Sequence, residues 1–75
     1  MISVYVRSID GINDVEEFSS KEEAFEYIYR YLGDSFEIGS SYAVNFFGDV
    51  TVSVDGWTLR EYADMARDRK IKNYG

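Results

Sequence analysis

Carboxylates are the only plentiful acid–base groups in this 75-residue chain, which has fourteen Asp and Glu but no histidine and no cysteine. Carboxylate catalysis needs two such groups flanking one substrate, with at least one held at a shifted pKa. Glu16 and Glu17 are adjacent, so on a strand they point to opposite faces and cannot share a substrate. Glu22, Glu23 and Glu26 fall on the exposed face of a helix, with no neighbour that would raise a pKa to a useful value. The serines have no histidine to activate them and no lysine at nucleophile-dyad spacing. Zinc sites of the usual ligand sets are excluded with Cys and His. Asp10-Gly11-Ile12-Asn13-Asp14 lacks the calcium-loop spacing and its trailing glutamate, so it reads as a tight turn. Neither GxGxxG nor GxxxxGK[ST] occurs, and Gly39-Ser40-Ser41 is loop flexibility rather than a phosphate cradle. The residues point to binding rather than catalysis, with no cofactor and no metal.

The charge supports a binding role. The net charge of −6 is unevenly placed. Residues 10–37 hold nine acids against Lys21 and Arg30, whereas residues 38–75 hold five acids and five bases. Such a surface repels phosphate backbones, so direct nucleic-acid binding through Arg67, Arg69, Lys70 and Lys72 is disfavoured. It attracts a basic groove on another protein. The seven tyrosines add to this, because tyrosine offers large, stiff contact area with a polar handle. Tyr27, interleaved with Glu22, Glu23 and Glu26, makes an acidic–aromatic patch on a water-facing helix side.

The elements that must position these residues are legible from their periodicity. Ile2, Val4 and Val6 alternate on one face of a half-buried strand. Asp10-Gly11 is the signal for a two-residue type I′ turn, which pairs Arg7 with Asp14 and Val6 with Val15. The acidic second strand, about Asn13 to Phe18, suits a sheet edge. Ser19 and Ser20, followed three residues on by Glu22 and Glu23, are capping boxes that open a helix. Phe25, Ile28, Tyr29 and Leu32 form its apolar stripe, and Gly33 ends it in a left-handed conformation. Residues 34–41 read as a loop anchored by Phe36 and Ile38. Tyr42 to Val54 is a hairpin. A two-residue Gly48-Asp49 loop sets Asn45 among Val50, Val52 and Val54; a three-residue loop sets Tyr42, Val44 and Phe46 opposite those valines. The second gives one clean apolar face and is preferred, with Phe47 at an exposed tip. Thr58 and Glu61 cap a second helix, with Leu59, Tyr62, Ala63 and Ala66 inward, Trp57 as its staple, and an end near Arg69. Ile71 and Tyr74 are placed to tack down the tail.

The order β-β-α-β-β-α predicts a single α+β domain over 1–75, an antiparallel sheet with both amphipathic helices on one face. No apolar run is long enough to span a bilayer. The N-terminus lacks a signal-peptide pattern. With no disulfide to form, the cytoplasm is the expected compartment, a host's if the chain is phage-encoded. In size and charge the chain resembles the small acidic anti-defence proteins of phages and mobile elements, including anti-CRISPR and antirestriction inhibitors. That likeness implies an inhibitor or adaptor that docks on a basic protein surface, such as that of a nucleic-acid-handling enzyme, and occludes it by mimicking DNA charge. The residues assigned to docking are Asp14, Glu16, Glu17, Glu22, Glu23, Glu26, Tyr27, Asp34, Glu37 and Phe47. The alternative is a non-catalytic oligomerisation module, a homodimer formed across a sheet edge or the polar sheet face through Tyr5 or Phe47.

Overall fold

Ile2, Val4 and Val6 are buried on one side of strand β1 (Ile2–Ser8), as their alternation requires, in a computed structural model that describes the backbone of residues 1–74 and the side chains of 1–72. The other elements are β2 (Asn13–Phe18), α1 (Lys21–Leu32), β3 (Phe36–Ile38), β4 (Ala43–Asn45), β5 (Val50–Asp55) and α2 (Leu59–Tyr74). The strands form one antiparallel sheet in the order β2-β1-β5-β4-β3, so β2 and β3 are its edges. Both helices cover the side that carries Val4, Val6, Ala43 and Val52, and the buried residues form one cluster with Phe25, Ile28, Leu32, Trp57, Leu59 and Tyr62. The α+β class with both helices on one face therefore holds. One strand is added to the expected order.

That strand is β3. Phe36-Glu37-Ile38 pairs with β4 as Phe36↔Asn45, Glu37↔Val44 and Ile38↔Ala43. Three residues give too little alternation to stand out beside Gly39-Ser40-Ser41. Gly33 explains how the chain reaches it. Its N–H donates to the Tyr29 carbonyl at 2.9 Å, and its φ is 61° with ψ at −142°. The positive φ needs glycine, but the ψ leaves the left-handed helical region and sends the chain straight into extended structure.

Helix starts behave as read. Ser20 accepts from the Glu23 N–H at 3.2 Å while its hydroxyl donates to Glu23 Oε1 at 3.1 Å. Thr58 Oγ1 accepts from the Glu61 N–H at 3.3 Å. The second helix runs on past Arg69 to Tyr74, and Ile71 is exposed rather than tacked to the core; the side chain of Tyr74 lies outside the described residues.

Both hairpin registers differ from expectation. The first closes over three residues, Ile9 to Gly11, with Ser8 N–H donating to Ile12 O at 2.9 Å and Gly11 N–H donating to Ser8 O at 3.1 Å. Only Gly11 has positive φ there, 94°, so this is a type I turn followed by a glycine bulge, not a type I′ turn. One extra loop residue flips β2: Val6 now faces Asp14, Val4 faces Glu16, and Val15 faces Tyr5. In the second hairpin Ala43 faces Val52 and Val44 faces Thr51, which leaves a four-residue loop of Phe46 to Asp49. Asn45, not Val44, sits on the helix side. Its polar group is satisfied by the loop: Oδ1 accepts from the N–H groups of Asp49 at 3.0 Å and Val50 at 3.1 Å, and Nδ2 donates to Asp49 Oδ1 at 2.7 Å. Small Ala43, wholly buried, lets the helix layer approach.

Candidate functional site

The flipped register of β2 puts Asp14 and Glu16 on the side of the sheet that faces α1, at its uncovered edge. Phe18 continues the same row. Against this row α1 presents Tyr27 and Tyr31, one helical turn apart. Phe18 and Tyr27 ring centroids are 5.2 Å apart, and Tyr27 and Tyr31 are 5.4 Å apart, edge to face. The result is a shallow groove with an aromatic floor. Glu16, Glu22, Glu23, Glu26 and Arg30 line its lower part beside Phe18 and Tyr27. Tyr27 is therefore half-buried rather than turned to water. Burial, then the neighbouring Tyr31 hydroxyl and the Asp14 and Glu16 carboxylates, push its phenol up to about 12.

The carboxylates assigned from sequence separate into groups. Glu16, Glu22 and Glu23 line the groove, Asp14 follows Glu16 on the same strand face, and none of the four is in an ion pair among the described residues. Glu23 is engaged only as the helix cap, accepting from Ser20 and, at 3.4 Å, from Ser19. Glu26 also lines the groove but is already paired. Arg69 of α2 grips its carboxylate with both guanidinium nitrogens while stacking over Phe25 at 4.8 Å and Tyr29 at 4.9 Å. This contact holds the Glu26 carboxyl below its usual range and the Arg69 guanidinium above its own. A helix C-terminal arginine is thus not a free cation, and Glu26 is not a free acid. Lys21 likewise meets Glu61 at 3.2 Å, so the two helices are laced together at two levels.

Three assigned acids lie elsewhere. Glu17 faces Ser3 on the side of the sheet opposite the helices. Glu37 is on β3, the far edge, and Asp34 follows α1 near the Tyr62 hydroxyl, whose ionisation its charge opposes. That hydroxyl donates to the Gly33 carbonyl at 2.8 Å. Phe47 stands at the tip of the β4–β5 loop, edge to face with Phe46 at 5.4 Å. The Ile9 N–H donates to the Asp49 carbonyl at 3.0 Å and ties this loop to the β1–β2 turn. Ile9, Phe46 and Phe47 are 79%, 77% and 82% exposed, and Ile12 is nearly half exposed. An apolar tip thus stands where Ile12 ends the row that Asp14, Glu16 and Phe18 begin.

Sequence reasoning missed Phe18 and Tyr31 as groove residues, and Ile9, Ile12 and Phe46 as tip residues. The i, i+4 spacing of Tyr27 and Tyr31 was a usable signal; the tip depends on loop lengths that were misjudged. Among the described residues no group of Asp and Glu is arranged to hold a metal ion, and no helix is long and apolar enough to cross a membrane. Comparison of the chain with protein-family models, with curated proteins and with solved structures finds no match.

Proposed function

We propose that this protein is a non-catalytic binding protein, an inhibitor or adaptor, that takes arginine or lysine side chains of a basic protein surface into the groove between β2 and α1. The observation that carries this reading is the groove's pairing of an aromatic floor, Phe18, Tyr27 and Tyr31, with the unpaired carboxylates Asp14, Glu16, Glu22 and Glu23. A guanidinium or ammonium group gains from the ring faces and from the carboxylates together. Long-range attraction steers the encounter, and the apolar tip at the end of the same row supplies a desolvated anchor. A partner that uses its basic surface to hold nucleic acid would be occluded by this contact, as with the anti-defence inhibitors the chain resembles in size and charge. The reading takes the partner to be a protein, not nucleic acid or a membrane, and the compartment to be the cytoplasm, a host's if the chain is phage-encoded.

Glu26 and Glu17 take no part in this contact. Capture of the partner from lysate should fall steeply as salt rises, because the interacting charges are exposed. Glu16→Lys, Glu22→Lys and Glu23→Lys together should abolish capture while circular dichroism remains native. Undiminished capture by that triple variant rejects the groove.

A further inference from the structure

The sheet is covered on one side only, and the register orders its open side into rows. The first row is Asn13, Arg7, Thr51, Val44 and Glu37; the second is Val15, Tyr5 and Ser53; the third is Glu17, Ser3 and Asp55. Tyr5 is 43% exposed and Val15 59%, giving the middle row an apolar character. Apart from Glu37 at the β3 end of the first row, charge is divided between the flanking rows: Arg7 on β1 in one, Glu17 and Asp55 on the strands either side of β1 in the other. None of the three is in an ion pair among the described residues.

We propose that this face is the contact surface of a symmetric homodimer. A two-fold axis lying along the middle row turns the first row of one copy onto the third row of the other. Tyr5 then meets Tyr5 and Val15 meets Val15. Arg7 faces Ser3 of the second copy, with that copy's Glu17 and Asp55 on the adjacent strands, about 4.8 Å to either side. Sheets packed face to face lie about 10 Å apart, within reach of an arginine side chain. The other simple axis, along β1, sets Arg7 on Arg7 and Glu17 on Asp55. Repulsion rules it out, so the charges choose the geometry as well as the partner. Strand spacing limits the fully apposed area to roughly 20 Å by 17 Å, small for a specific interface, so the dimer is reversible. This pairing leaves the β2–α1 groove free and stands independently of what that groove binds.

Sedimentation equilibrium of the full chain tests it. The weight-average mass should climb from 8.7 kDa toward twice that value as concentration rises through the micromolar range. Arg7→Glu should weaken association by about tenfold or more, because it sets like charges together. Adding Glu17→Lys and Asp55→Lys to that variant should restore it. These side chains are exposed on the sheet face opposite the helices, so native circular dichroism is expected for each variant. A chain that stays monomeric at every concentration overturns the proposal, as does a charge swap that fails to restore association. So does self-association that is lost in Phe46→Ser with Phe47→Ser yet persists in Arg7→Glu.

Discussion

The β1–β2 and β4–β5 hairpins hold their registers by different means. In the first, two main-chain hydrogen bonds close three loop residues, Ser8 Oγ adds one local contact by accepting from the Asp10 N–H at 3.1 Å, and the single positive φ is supplied by Gly11. In the second, the side chain of Asn45 gathers two loop N–H groups and the Asp49 carboxylate into one cluster. A slip of one residue in either strand would exchange its two faces. For β2 that exchange would move the carboxylates of Asp14 and Glu16 away from Tyr27 and dissolve the groove. For β4 it would drive Val44 inward and turn Ala43 and Asn45 outward. A mainly backbone device sets the position of the candidate site, and a mainly side-chain device secures the sheet behind it.

The contrast predicts unequal sensitivity. Asn45→Ala should have the largest effect, about 2–3 kcal/mol in denaturant unfolding, because it strands partly buried loop donors. Stability within about 0.5 kcal/mol of the parent would show that the loop backbone holds itself. Gly11→Ala should cost about 1 kcal/mol, the strain of a side chain at positive φ, with no steric term because nothing lies within 4 Å of the added carbon.

A pH titration sharpens the groove end of the comparison. The folded state favours the neutral Tyr27 phenol, whose pKa is raised from 10 to about 12. Its stabilising contribution is therefore intact below pH 10 and is lost as pH rises toward 12. Absorbance titration of the parent against Tyr27→Phe isolates this ionisation. Asp14→Asn with Glu16→Gln should lower its midpoint; an unmoved midpoint would place those carboxylates away from the ring. The smallest effects belong to Val15→Thr and Val44→Thr, each below about 0.5 kcal/mol, since both side chains lie on the open face. A loss of 2 kcal/mol at either would mean that the strand is turned the other way.

Local signals in the sequence were sound wherever one segment decided its own structure. The Ser20 and Thr58 caps, the stripe of Phe25, Ile28 and Leu32, the Trp57 staple and the alternation of β1 all stand where periodicity and capping chemistry put them. Asp10-Gly11 misled because the dipeptide fits both a two-residue turn and the end of a three-residue one. Asn45 misled for a different reason. An apolar-face argument counts an inward asparagine as a cost, yet here the loop folds back to satisfy it. The acidic bias of residues 10–37 was visible, but its division was not. Glu26 is claimed by Arg69, forty-three residues away, and Glu17 by the opposite sheet face. Phe18 entered the groove through its ring contact with Tyr27, a packing of helix on edge strand that no single segment encodes.

The β2–α1 groove is proposed to receive basic side chains. The most direct test of that contact is a two-dimensional NMR titration of the protein with a short arginine-rich peptide at low salt. Saturable shifts should concentrate on the amides of 14–18 and 27–31, with the Tyr27 and Tyr31 ring signals moving in step, and should fade as salt is added. Saturable shifts confined to α2 or to the row of Tyr5 and Ser53, or no saturable shift at all, would contradict it.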